Sequence, residues 1–296
     1  MSLDAVLLLI FMVIVFTTQG SLSKVFSMHY QGPALAATPV YASVTGAACA
    51  LATWCMAGFA YAPSTQTLWL GLANGVTLFL YNVAAVNAAR TGPYSLQSLM
   101  ATLGSIVLPL LASLLLWREP LVLLHYIGIA LMLLAAALFH LKGLNVQEVK
   151  KGYRGWVVLL LVSNGVFGVL MASQQRVMDF TQRNEMIITT YGTSAAISAA
   201  FLLLTQKAQA ARAYRTGRTS GIALLVSGAV VATGVNLLMR ALQLIPAPIL
   251  YTINNGGVLM LAVLLGTVIW KEKFTFHKGL GLALAVVAIA LLGQAS

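Results

Sequence analysis

Long apolar runs separated by short polar breaks recur from one end of the chain to the other. An α-helix needs about 20 apolar residues to cross ~30 Å of hydrocarbon, and runs of that length are bounded here by charges, Gly and Pro, and polar clusters. They predict spans near 3–22, 34–57, 67–89, 94–117, 121–141, 155–176, 185–205, 219–241, 246–269 and 276–294. The pattern therefore predicts an all-α integral membrane protein with ten transmembrane helices. Trp69, Trp117, Trp156 and Trp270 fall at or near predicted ends, where an interfacial aromatic belt places them, whereas Trp54 does not. The first span reads as a retained helix and not a secretory leader. It opens with Asp4 instead of basic residues and carries Thr17, Thr18 and Gln19 late in its apolar stretch.

The tetrapeptides "WREP" at 117 and "WKEK" at 270 stand 153 residues apart, and the same offset superposes more than those letters. Gly75 meets Gly228, Ala88 meets Ala241, Pro93 meets Pro246, Gly104 meets Gly257, Glu119 meets Glu272, Gly128 meets Gly281 and Leu131 meets Leu284. Aliphatic matches between Leu- and Ala-rich segments carry little weight, but Trp, Glu, Pro and Gly in one register carry more. The halves read as repeats, 1–142 and 155–296, joined by a basic linker at 143–154. Five spans per repeat, an odd number, turn the second copy upside down. Inverted five-helix repeats are an architecture of alternating-access carriers, with the substrate held near the bilayer midplane where the copies meet.

Composition agrees with a membrane location: 60% of residues are hydrophobic and 8% charged, with mean hydropathy +0.91, against roughly 25% charged in soluble domains. The net charge of +11 does not point to nucleic acid, because the basic residues fall mostly between spans. Counted by side, thirteen Lys and Arg lie opposite the termini and four, Arg118, Arg176, Arg183 and Arg240, share the termini's side. The positive-inside rule then places both termini outside. Cys49 and Cys55 read as small apolar residues within the second span, and the four histidines are scattered without a metal-binding motif.

The second-half run "PAPILYTINNGGVLMLAVLLGTVIWKEKFTFHKGLGLALAVVAIALL", with its first-half counterpart "WREP…YIGIALMLLAAAL", resembles the EamA-like members of the drug/metabolite transporter superfamily. The last two spans also resemble the closing half of small multidrug resistance proteins. The resemblance extends over the whole chain in span count and length. It implies a ten-helix carrier whose cavity is formed mainly by spans 1, 3, 4 and 6, 8, 9, with spans 5 and 10 at the periphery. Two features depart from it: the first span lacks the membrane glutamate of the small multidrug relatives, and the uncharged tail "LLGQAS" differs from the basic tail of many relatives.

On the implied cavity spans lie Gln19, Tyr81, Asn82, Asn87, Gln97, Asn164, Gln174, Asn236, Tyr251, Asn254 and Asn255. The peripheral spans have almost no amides in their interiors, and polar groups within membranes face bundle interiors or aqueous paths. Gln19, Tyr81, Asn82, Gln97, Gln174, Asn236, Tyr251, Asn254 and Asn255 are the expected substrate-binding residues. The pair Asn254 and Asn255 in "TINNGG" poses the choice most sharply: successive helical residues point ~100° apart, so one amide lines a path while the other ties helices together. Glu119 and Glu272 each sit at a short turn beside a basic residue and read as turn caps or surface ion pairs. Arg90 and Arg240 end their spans near cavity helices, either clamping an anion or snorkelling to the interface.

None of the six acidic residues falls inside a span, which weakens proton-coupled export of cationic drugs. The expected function is transport of a small polar metabolite, an amino acid or related compound. The alternatives are a multidrug or cationic-compound exporter and an exchanger of phosphorylated metabolites or nucleotide sugars. An enzyme is not expected, since neither a GxGD pair nor a GxSxG turn occurs. No cofactor is expected. The expected partners are a small-molecule substrate and membrane lipids, with no nucleic acid, for a monomer or homodimer in a bacterial inner (plasma) membrane.

Overall fold

The computed structural model describes residues 3–33, 35–91, 94–140, 152–178, 181–206, 210–268 and 274–294. Among them the chain is helical and without strands. The helices are α1 (Leu3–His29), α2 (Ala37–Met56), α3 (Thr65–Thr91), α4 (Tyr94–Ala112), α5 (Leu123–His140), α6 (Tyr153–Val177), α7 (Arg183–Gln206), α8 (Ala210–Ala213), α9 (Arg218–Ala241), α10 (Ala247–Val268) and α11 (Phe276–Gln294). Nine of the described helices are long and apolar enough to cross a membrane, as expected of an integral membrane protein. The expected fifth span, α5, is apolar but shorter.

Local chemistry explains the ends. Ser64 caps α3, accepting from the Thr67 N–H at 3.1 Å, and Thr275 does the same for α11 through the Lys278 N–H at 3.4 Å. Pro248 sits in the first turn of α10, where no intrahelical donor is lost. Pro109 lies inside α4, and the helix then widens into a π-helical turn, Ser113–Trp117, closed by Arg118 in the left-handed region at φ 50°. The Glu119 N–H donates to the Ser113 carbonyl and its carboxylate accepts from the Ser113 hydroxyl. This is the turn-closing role expected of Glu119; Glu272 and Trp270 lie outside the described residues.

Two expectations are corrected. α1 does not stop at residue 22 but runs to His29, and its extension is held by Phe26, whose ring lies 5.1 Å from Tyr30 and 5.4 Å from Tyr41. The basic linker is shorter than expected at its far end, because Tyr153 and Arg154 already belong to α6. Residues 143–151 lie outside the described residues.

The chain forms two compact units, each drawing on both halves of the sequence: Met1–Thr17, Ala84–Ala172 and Arg240–Ser296 in the first, Thr18–Val83 and Ser173–Met239 in the second. In the first unit α5 packs along α11 and α10 against α4. Glycines set the spacing. A Cβ on Gly104 of α4 would meet the Leu161 backbone of α6, and one on Gly165 would stand 2.6 Å from the Gly104 carbonyl oxygen. A Cβ on Gly257 of α10 would stand 2.8 Å from Val13 of α1, one on Gly128 of α5 2.7 Å from Leu292 of α11, and one on Gly281 of α11 3.0 Å from Phe139 of α5.

In the second unit α2 packs along α7. Gly71 and Gly75 let α3 approach α7, where their Cβ positions would stand 2.6 Å from Thr189 and 2.5 Å from Thr193. The spacing is the small-xxx-small pattern by which membrane helices bring backbones close. Gly228 of α9 similarly faces Ala48 of α2. Cys49 is buried and Cys55 exposed at the end of α2. In detergent-solubilised protein a maleimide is expected to modify one thiol, Cys55; mass spectrometry showing Cys49 modified, or neither, would contradict this placement.

Candidate functional site

The candidates divide between the two units, four in the first and five in the second. In the first, Tyr251 on α10 is buried and donates through its hydroxyl to the Gly168 carbonyl of α6 at 2.9 Å. Asn164, named on a cavity span, donates from Nδ2 to the Ala101 carbonyl of α4 at 2.7 Å. Both bonds run from a side chain to the backbone of another helix, so these two groups act as interhelical ties.

Gln97 and Asn254 differ. Each is 7% exposed, and the Oε1 of Gln97 and the Oδ1 of Asn254 are buried with no hydrogen-bond partner among the described residues. Asn255, half-buried on the next helical position, likewise makes no hydrogen bond among them. The sequence offers one amide as tie and the other as pathway, yet neither makes an interhelical bond among the described residues. On α10, Gly256 faces Met132 of α5 and Gly257 faces Val13 of α1.

In the second unit, Gln174 on α6 is fully buried and donates from Nε2 to the Thr67 hydroxyl of α3 at 3.0 Å, while its Oε1 has no partner among the described residues. Asn236 on α9 donates to the Ala232 carbonyl at 2.9 Å and to the Thr53 hydroxyl of α2 at 3.4 Å. Gln19 and Asn82 are half-buried and make no hydrogen bond among the described residues. Tyr81 is half-buried and is not free.

Gln175, Asn74 and Thr190 are among the buried polar residues that the sequence analysis does not name. Gln175 is fully buried, donating to the Met239 sulfur at 3.3 Å and leaving its Oε1 unused among the described residues. Asn74 is 0% exposed with neither amide atom bonded among the described residues, and Thr190 on α7 has an unpartnered buried hydroxyl. The clue to Asn74 was its place in "GLANG", between the two glycines that bring α3 against α7. Gln175 adjoins a candidate in sequence, but which of two neighbouring amides turns inward depends on helix rotation.

A buried polar atom without a partner costs about 1–3 kcal/mol, and each such group calls for an explanation. At Gln97, Asn254, Gln174 and Gln175 the unused atom is a carbonyl oxygen. These sites therefore offer acceptors to a ligand that brings N–H or O–H donors. Carboxylates are not part of this set, and Arg90 and Arg240 are exposed at the ends of α3 and α9.

The helices and their buried amides place the chain among all-α, membrane-protein-like folds. No family model matches the sequence, and no curated protein does either. A solved structure described only as "Crystal structure of protein" is similar over 99% of this chain and 99% of that one, with TM-score 0.75 and 16% sequence identity. At that identity the likeness shows a common fold.

Proposed function

We propose that this protein is a multi-pass carrier of the EamA-like type, in a bacterial inner membrane, that moves a small polar metabolite, an amino acid or related compound, by alternating access. The reading rests on one observation above the others: Gln97 and Asn254 lie buried in apolar helices and bond to no protein group among the described residues. A tie between helices would use those atoms. A polar path leaves them to water and substrate. The acceptor surplus suits a ligand carrying an ammonium group, and the expected substrate is neutral or zwitterionic.

The ten-span architecture, with inverted repeats over 1–142 and 155–296, is supported by the partners of the three glycine pairs that stand 153 residues apart. Gly75 of the third span faces the seventh, and Gly228 of the eighth faces the second. Gly104 of the fourth faces the sixth, and Gly257 of the ninth faces the first. Gly128 of the fifth faces the tenth, and Gly281 of the tenth faces the fifth. Each partner is exchanged for its counterpart in the other half, as a pseudo-two-fold axis requires.

Uptake into proteoliposomes tests the function. Saturable uptake of one or more L-amino acids is expected, unchanged when a pH gradient is imposed. Gradient-dependent uptake of quaternary amines without any amino-acid uptake would overturn the proposal.

A further inference from the structure

The second unit carries, between α2 and α7, a feature that the carrier reading does not use. A groove of about 580 Å³ runs along α2 and α7. It exists because the facing side chains are small: Ala47 and Ala48 on one wall, Gly192, Ala196 and Ala199 on the other. From Ser43 to Leu51 its length on α2 is about 12 Å at 1.5 Å per residue. Its lining is apolar except at one end, where the Ser43 and Tyr214 hydroxyls meet at 2.9 Å.

Tyr214 belongs to a turn that also presents cations. Arg212 and Arg215 flank it, Arg218 opens α9, and all three are exposed. The turn is closed by the Arg215 N–H on the Arg212 carbonyl at 3.0 Å and the Thr216 N–H on the Tyr214 carbonyl at 3.0 Å. It is also anchored. Tyr30 donates to the Ala213 carbonyl at 3.0 Å, and Ala210 and Ala213 are buried in a cluster with Phe26, Leu202 and Leu224. No hydrogen bond or ion pair engages the three arginine side chains among the described residues.

An apolar groove with hydroxyls at one end, next to a turn whose three exposed arginines are unpaired among the described residues, has the order of parts of an anionic amphiphile. We propose that the groove and the arginine turn form a binding site for one anionic phospholipid. An acyl chain lies between α2 and α7, and the phosphodiester is held by Arg212, Arg215 and Arg218. Guanidinium groups suit this role because their planar fork meets two phosphate oxygens at once, and basic pockets beside membrane helices hold lipid headgroups. A free phosphate would use the arginines and leave the groove unfilled; the groove favours the lipid.

The test uses the full-length protein in detergent, titrated with dioleoylphosphatidylglycerol or dioleoylphosphatidylcholine and followed by native mass spectrometry and thermal unfolding. Phosphatidylglycerol is expected to be retained at least tenfold more tightly and to raise Tm by several degrees. The combined Arg212→Gln, Arg215→Gln and Arg218→Gln variant should lose that preference, and so should Ala196→Phe, which fills the groove from an exposed position. Equal retention of the two lipids would overturn the proposal. So would an Ala196→Phe protein that keeps the preference, since surface charge alone would then suffice. A loss of dimers in that variant with lipid retention unchanged would assign the groove to a second copy instead. Should Ala196→Phe not fold, glycerol phosphate decides on the unmodified protein: displacement of phosphatidylglycerol by equimolar glycerol phosphate would mean that the groove contributes nothing.

Discussion

Gly104→Val is expected to abolish recovery of folded protein. The valine Cβ would overlap the Leu161 carbonyl oxygen on α6, with the Leu161 carbonyl carbon 2.9 Å and Cα 3.0 Å away. Overpacking a core ordinarily costs ~1–3 kcal/mol, because neighbouring side chains turn aside. Here the nearest atoms are all Leu161 backbone, which cannot turn aside as a side chain does. The helices must separate, and the close packing of Gly165 on Leu108 and of Gly168 on Pro109 is lost with them. The cost should exceed the usual range, and detergent-solubilised protein should elute as aggregate. Gly104→Ala should fall between, with a clearly lowered Tm. Gly20→Val is the control, because a Cβ there has nothing within 4 Å. Monodisperse Gly104→Val protein with an unchanged Tm would refute the seam.

Asn254→Leu should divide stability from activity. Leucine keeps the branched shape of asparagine and removes a buried carbonyl oxygen that has no partner among the described residues. Relief of that unmet acceptor should stabilise the fold by about 1–3 kcal/mol, seen as a Tm a few degrees higher. Amino-acid uptake should fall at least tenfold, because the atom offered to substrate is gone. Tyr251→Phe should behave the opposite way. It deletes a bond to the Gly168 carbonyl, so stability falls by about 0.5–1.5 kcal/mol while uptake changes less. An Asn254→Leu protein that transports normally would remove Asn254 from the path, and one that is destabilised would mean that its oxygen has a partner after all.

Hydropathy located most helices closely because burial in lipid is written in composition. The expected span at 276–294 coincides with α11, and that at 219–241 differs from α9 by one residue. It ends short at α1, where the apolar run stops before the charge of Lys24 but the helix goes on. Charge marks where hydrocarbon stops, but a helix continues wherever its residues permit and its side chains find packing, as Phe26 does against Tyr41. The four-residue α8 carried no periodic signal and was missed for the same reason. The π-helical turn after Pro109 depends on the Ser113 and Glu119 contacts, which close only in three dimensions.

The amides show the same limit more finely. Their confinement to particular spans was legible, but their partners were not. Asn164 and Asn254 look alike in sequence, yet one reaches the Ala101 carbonyl and the other reaches nothing among the described residues. Rotation of each helix against its neighbour decides this, and a single sequence does not encode rotation openly. Gly104 and Gly257 were first noticed as letters in register, and only the seams give them a physical role.

The Gly104–Gly165 seam also bears on motion. Packed helices slide past one another by exchanging rotamers at their contact, in small shear steps. Where Gly104 of α4 meets the Leu161 backbone of α6 no side chain lies between the helices, so a sliding step at that point has few rotamers to exchange. Flexing then concentrates at the break in α4, where Pro109 leaves the Ser105 carbonyl without its helical donor and the coil widens at Ser113–Trp117. α4 thus joins a close backbone seam at Gly104 to a break beyond Pro109, which sets where along its length the helix can bend.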